Sequence, residues 1–158
     1  MASGDSLCVF TAIANEPPTT NYALFAALNA HPVLAYTINT NQEGRFTGVL
    51  SPHYTGGGIT AYIHYSCAVN TNNITWAISF DALPATAPTN ADNYAAEQTT
   101  TNAVPGTANT LGIVTIAFTN GAQIDNLAVG NTFHLKIRRT DNSANGDAHL
   151  LAIELRET

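Results

Sequence analysis

Residues 45–83 read RFTGVLSPHYTGGGITAYIHYSCAVNTNNITWAISFDAL. Runs rich in β-branched and aromatic residues alternate there with clusters of turn formers, the pattern of strands joined first by a loop and then by a tight hairpin. Ile59, Ala61, Ile63, Tyr65 and Cys67 fall on one face of one strand, and Ile74, Trp76, Ile78 and Phe80 on one face of the next. A period of two is what a half-buried sheet requires. The stretch therefore predicts a hairpin, closed by the NTNN at 70–73, in the middle of a β-sandwich, with the single tryptophan, Trp76, in its core.

Working outward, strands are predicted over 7–13, 22–28, 33–40, 94–101, 110–119, 132–140 and 148–156. In the first, Leu7, Val9, Thr11 and Ile13 oppose Cys8, Phe10 and Ala12. The NEPPTTN loop that follows holds two consecutive prolines, which cannot donate to a ladder. The run YALFAAL reads as strand because Asn29 and Pro32 stop it before a helix of ordinary length forms. Over 132–140, Phe133, Leu135 and Ile137 point inward against His134, Lys136 and Arg138; over 148–156, Leu151, Ile153 and Leu155 form the inner face. The long connection beginning at Pro84 is an Ω-like loop or a crossover between sheets.

The tally is an all-β chain, a single-domain antiparallel β-sandwich, jelly-roll-like, of about nine or ten short strands. Residues 1–158 are expected to form this one domain, with a short N-terminal arm at 1–6. The predicted core is Phe46, Ile63, Trp76, Phe80, Ile116, Phe133, Leu151 and Ile153.

Only 10% of the residues are charged while 45% are hydrophobic, so Asn, Thr, Ser and Gln must supply much of the polar surface. A net charge of -6 argues against a nucleic-acid partner, which calls for a basic face. Lys136, Arg138, Arg139 and Arg156 cluster near the C-terminus and read as solvated strand faces with an ion pair or two to Glu154 or Asp141. No basic leader and no apolar run of membrane-spanning length occurs, so synthesis in a cytoplasm and no membrane partner are expected. Cys8 and Cys67 read as buried, inert thiols of a reducing compartment, the alternative being a disulfide between them, which would need their strands to be adjacent.

Chemistry is sparse. Asp141, Ser143, Asn145, Gly146 and Asp147 open like a calcium loop, but Ala152 stands where the bidentate glutamate belongs, so a hairpin loop of turn formers is expected. His31, His53, His64, His134 and His149 show no ligand spacing except a cross-strand His134–His149 pair, which alone does not make a metal site. No nucleophile elbow or flanking carboxylate pair is present, so no catalytic residue, metal or cofactor is assigned. Tyr22, Tyr54, Tyr62 and Tyr94 form the better lead, as a sugar-stacking platform or as anchors of a protein interface.

A family pattern can be matched to RFTGVLSPHYTGGGITAYIHYSC, NITWAISFDAL and VGNTFHLKIRRTDNSANGDAHLLAIELRE. With Phe46, Gly48, Pro52, Tyr54, Gly57, Gly58, Trp76, Phe80, Gly130, Phe133, Arg138, Asp141, Gly146, Asp147 and Leu151, they resemble the small jelly-roll-like decoration (cement) proteins of tailed-bacteriophage capsids. The resemblance implies a structural virion protein on the capsid exterior, a homotrimer bridging capsomers of a major capsid protein, without enzyme activity. The contacting elements would be the arm at 1–6, the loop at 51–58 and the connection at 84–93, with Ser3, Asp5, Pro52, His53, Tyr54, Tyr62, Pro84, Asn90 and Tyr94 at the capsid or subunit interface. The alternative is a tail-fibre or carbohydrate-binding β-sandwich module that recognises a host surface.

Overall fold

In the computed structural model, residues 4–38, 41–140 and 143–158 are described. Ten strands form two antiparallel sheets: β1 (Ser6–Thr11), β2 (Leu24–Leu28), β3 (His31–Tyr36), β4 (Glu43–Val49), β5 (Ile59–Cys67), β6 (Asn73–Leu83), β7 (Gln98–Ala103), β8 (Gly112–Phe118), β9 (Thr132–Arg139) and β10 (Ala148–Glu157). Besides the strands, the described residues contain only two short 3-10 turns, at Ala12–Ala14 and Ala122–Ile124. One sheet runs β2-β3-β10-β5-β8 with β1 also on β10, and the other runs β4-β9-β6-β7. This is the all-β sandwich the alternation implies.

Side-chain alternation closes the core. Ile59, Ala61, Ile63, Tyr65 and Cys67 of β5 meet Ile74, Trp76, Ile78 and Phe80 of β6 from the opposite sheet, all of them buried. Phe46, Ile116, Phe133 and Ile153 are buried with them. Trp76 lies edge-on to Tyr36, centroids 5.1 Å apart, and to Tyr65 at 5.7 Å, the edge-to-face geometry that ring quadrupoles favour. A second aromatic group runs from Phe10 through Phe46 and Phe133 to Phe80 and Phe118. It leaves no room on the inner face of β4 beyond Phe46: a Cβ on Gly48 would sit 2.7 Å from the Phe133 ring and 2.8 Å from Phe10.

The structure differs from expectation in three places, two of them connections and one a register. The NTNN turn does not close a hairpin: β5 pairs with β10 and β8, whereas β6 pairs with β9 and β7, so residues 68–72 carry the chain from one sheet to the other. Alternation alone reports which face is buried and is silent on which strand lies alongside. The 140–147 loop likewise crosses between sheets, from β9 to β10, and the His134–His149 cross-strand pair does not form. The hairpin that does form is β2–β3, where Leu28 faces His31 across Asn29 and Ala30, both at positive φ (44° and 68°), as a two-residue primed turn requires.

The third difference is Leu151, expected in the core and only partly buried. Leu150 pairs with Tyr65 and Ala152 with His64, leaving Leu151 as the extra residue of a bulge. A bulge reverses the face of everything before it, so Leu150, not Leu151, joins Ile153 and Leu155 inside. Leu150→Ala is expected to cost about 2–5 kcal/mol in urea unfolding and Leu151→Ala under about 1.5 kcal/mol. Equal costs would place the register one residue away.

Cys8 and Cys67 are both free. They face Leu155 and Ala148 at opposite ends of β10, about 20 Å apart by strand rise, far beyond disulfide reach.

Candidate functional site

The outer face of the four-stranded sheet carries a cluster of paired charges. Register places Thr47, His134 and Asp81 in one row across β4, β9 and β6, Arg45, Lys136 and Ser79 in the next, and Glu43, Arg138 and Ala77 in a third. His134, Lys136 and Arg138 point outward here, as the alternation of β9 requires. They are not bathed in solvent, because residues 84–97 leave β6, fold over this face and return to pair as β7. The backbone N–H of Ala95 donates to the Phe80 carbonyl at 2.8 Å. The long connection is thus an Ω-like excursion within one sheet.

Three side chains fasten this strap. Glu97 accepts two hydrogen bonds from the Arg138 guanidinium, both 2.7 Å, the bidentate geometry that makes such pairs strong. Lys136 Nζ adds a longer contact at 3.7 Å. Asp92 accepts from Arg45 at 2.7 Å, and the Tyr94 ring lies 4.5 Å under the Lys136 ammonium and 5.6 Å from the Arg45 guanidinium. Burial pushes the Tyr94 hydroxyl well above the usual phenol range. The Arg138 hydrogen bonds hold the Glu97 carboxyl below its ordinary value. A depressed carboxyl stabilises the fold above the unfolded carboxylate range, and that contribution disappears as the pH falls through the folded value. Glu97→Gln is therefore expected to flatten the loss of Tm between about pH 5 and pH 3; an unchanged acid limb would show that the pair carries no stability.

Opposite the strap stands an arch. The Arg45 N–H donates to Asn15 Oδ1 and the Glu16 N–H to the Arg45 carbonyl, while Ala23 and Glu43 bond back to Glu43 and Asn21. Both feet of residues 15–23 are therefore pinned to the edge of β4. Pro17 and Pro18 between them have no N–H to give, so the middle cannot zip onto the strand and stands off it. The space beneath is a groove of about 530 Å³ lined by Pro17, Pro18, Asn21, Glu43, Arg45, Asp92 and Arg138, among others. Its Pro17–Pro18 wall continues on one side into an apolar notch with Tyr22 and Phe25. On the other side it meets a smaller recess that reaches Glu16, Tyr94 and His134. Tyr22 is 46% and Phe25 63% exposed, so both rings are available to a ligand.

The interface residues expected from sequence fall elsewhere or apart. Ser3 lies outside the described residues. Asp5, Pro52 and His53 are exposed near one corner of the sandwich, where Glu157 accepts hydrogen bonds from Thr55 Oγ1 and from the Thr55 and Gly57 N–H groups. Tyr54, expected at the surface, is only 7% exposed: its ring packs into the core and its hydroxyl accepts from the Gly58 N–H. Tyr62 lies on the outer face of the other sheet with Arg156 stacked on it at 4.2 Å. Pro84 and Asn90 are exposed on the strap. Of the four tyrosines, only Tyr22 and Tyr94 border the groove. Glu43, Arg45, Asp92 and the arch itself were missed, and the one signal in sequence was the diproline placed between two polar residues that a strand would otherwise have absorbed.

Arg139 also corrects a reading. It is not on a solvated face but 3% exposed, donating to the Gly146 carbonyl at 2.6 Å, to Ala144 and to Tyr36 at 3.3 Å. In the loop that opens like a calcium site, a guanidinium thus takes the inward carbonyls that a cation would use; Asp141 lies outside the described residues.

The sequence matches no family model and no curated protein sequence. Solved structures do match its fold. A CBM36-1 domain of a multidomain xylanase from the hindgut metagenome of Trinervitermes trinervoides superposes with a TM-score of 0.56 at 11% identity, covering 94% of each chain. The shared architecture is a two-sheet antiparallel β-sandwich. A carbohydrate-binding module CBM36 in complex with calcium and xylotriose matches at TM-score 0.54 and 12% identity, over 94% of this chain and 99% of that one. The xylan-binding module CBM15 matches at 0.51 and 7%, over 96% and 97%. At these identities the likeness of the module fold describes architecture, and any ligand must be argued from this chain's own residues.

Proposed function

We propose that this β-sandwich is a non-catalytic binding module that holds a neutral glycan in the groove between the diproline arch and the strap. The observation that carries this reading is the adjacency of two surfaces. One is a polar floor of Glu43, Arg45, Asp92 and Arg138; the other is an exposed wall of Tyr22, Phe25, Pro17 and Pro18. A pyranose presents hydroxyl pairs at its equator and C–H groups on its faces. Carboxylates, amides and guanidinium groups match the first, and a ring or proline face matches the second. The volume lies in the range of small-molecule sites.

Charge argues for a neutral ligand. Two carboxylates and two guanidinium groups line the main groove, so a uronic acid or phosphate would gain at the arginines what it lost at the acids. The same pairing argues for binding over hydrolysis. Glu43 and Asp92 both hold Arg45, at 2.6 and 2.7 Å, and carboxylates so engaged are poorly placed to deliver or take a proton.

The test is a screen of the full chain against immobilised neutral and acidic polysaccharides, followed by titration of the best responder. Saturable binding to a neutral glycan with a dissociation constant in the micromolar to millimolar range is expected. Absence of any glycan response, together with co-sedimentation on assembled phage capsids, would reject it in favour of capsid decoration.

A further inference from the structure

At the inner end of the groove the fold gathers three side chains of metal-ligating type from three segments. Asp81 comes from β6 and His134 from β9, directly opposite it in register, while Asp92 is brought in by the strap. Each offers a ligand atom, and these atoms all lie within 4.8 Å of one another. Asp81 is 2% exposed, and its Oδ2 has no hydrogen-bond donor among the described residues. His134 Nδ1 stands 3.6 Å from that oxygen, too far for a hydrogen bond. A buried carboxylate oxygen left without a donor is costly, and a cation is one of the few partners that offsets the cost.

The surroundings favour positive charge. Glu16, Glu43, Asp81, Asp92 and Glu97 face this recess and its margins, against Arg45, Lys136 and Arg138 as permanent cations. Arg45 engages one oxygen of Asp92, Oδ2, at 2.7 Å, which leaves the second oxygen of that carboxylate for another partner. Glu16 lines the same recess, held by the Thr47 hydroxyl at 2.8 Å.

We infer that Asp81, Asp92 and His134 bind one divalent first-row transition ion, of the Zn²⁺ or Mn²⁺ class. One imidazole and two carboxylates suit that class. Ca²⁺ fits less well, because it takes six to eight oxygens and here one of three ligands is nitrogen. Drawing the three groups in by about 1 Å brings them to the separations found around an ion with bonds of about 2.0–2.2 Å. The ion would clamp the strap to β6 and β9 and so fix the Asp92 side of the groove floor. This inference does not rest on the glycan reading.

The experiment uses the full chain without an affinity tag, stripped with chelator, and titrates ZnCl₂, MnCl₂ and CaCl₂ separately by calorimetry and by thermal unfolding. One ion per chain is expected for Zn²⁺ or Mn²⁺, at least ten-fold tighter than for Ca²⁺, with a Tm that rises with ion concentration as linkage demands. His134→Gln and Asp92→Asn, neither in the apolar core, should each weaken binding at least ten-fold and shrink the ion-dependent rise in Tm, measured against each variant's own metal-free Tm. No saturable binding would overturn the inference. So would unchanged affinity in both variants, which would put the ion on other residues. Repeating the glycan titration in chelator separates the two proposals, since failure here leaves that response intact.

Discussion

Trp76→Ala is expected to remove about 3–5 kcal/mol from the free energy of unfolding, read as a fall in the urea midpoint at unchanged slope. The indole is fully buried and meets Tyr36 and Tyr65 edge-on from the opposite sheet. Alanine leaves a cavity that two rings on separate strands of a paired sheet cannot both move to fill. Trp76→Phe keeps most of the contact and gives up an Nε1 that has no acceptor among the described residues, so a loss of about 1.5 kcal/mol or less is expected from it. A Trp76→Ala loss as small as that would mean that the aromatic contacts between the sheets are dispensable.

Arg139→Ala is expected to cost a comparable amount, about 3–5 kcal/mol, for a different reason. Its guanidinium reaches the carbonyls of Tyr36, Ala144 and Gly146, and so ties the β9–β10 crossing to the end of β3. Hydrogen bonds to a charged donor are worth about 1.5–3 kcal/mol each and do not add fully. Removing the donor leaves buried carbonyls such as that of Ala144, a fully buried residue, without it. Arg139→Lys should recover only part of the loss, because an ammonium is a point charge and cannot fork across separated acceptors. Full recovery by lysine would show that charge alone matters there.

Much of the sandwich could be read from local alternation. Strands β5, β6 and β9 show their inner faces in the sequence because a period of two survives in a sheet with one buried face. Pairing could not be read in that way: NTNN and the 140–147 loop look like hairpin turns, and both lead from one sheet to the other. Leu151 shows the same limit on a smaller scale, since a single bulged residue shifts the face without altering composition. Arg139 was legible as a charge but not as a buried one, because its carbonyl partners depend on how the following loop folds back, at Ala144 and Gly146, and on the distant Tyr36.

The groove was less legible still. Its floor joins Glu43 and Arg45 with Asp92 of the strap and Arg138 of β9, and its wall is an arch whose two feet share a strand edge. No motif at fixed spacing could express that. What sequence does supply is the diproline, whose missing N–H groups explain why the arch stays open, and the outward charges of β9 that the strap comes to cover.

The most direct test of glycan capture is calorimetric titration of the best responding neutral oligosaccharide into the wild type, Tyr22→Ala, Glu43→Gln and Tyr62→Ala, with unfolding curves run in parallel. Tyr22 stands at the groove and Tyr62 on the outer face of the opposite sheet. At least ten-fold weaker binding is expected for Tyr22→Ala and Glu43→Gln, with unfolding midpoints close to the wild type, and full affinity for Tyr62→Ala. Full affinity in both groove variants, with binding lost in Tyr62→Ala, would contradict the assignment and move the ligand to the other face of the sandwich.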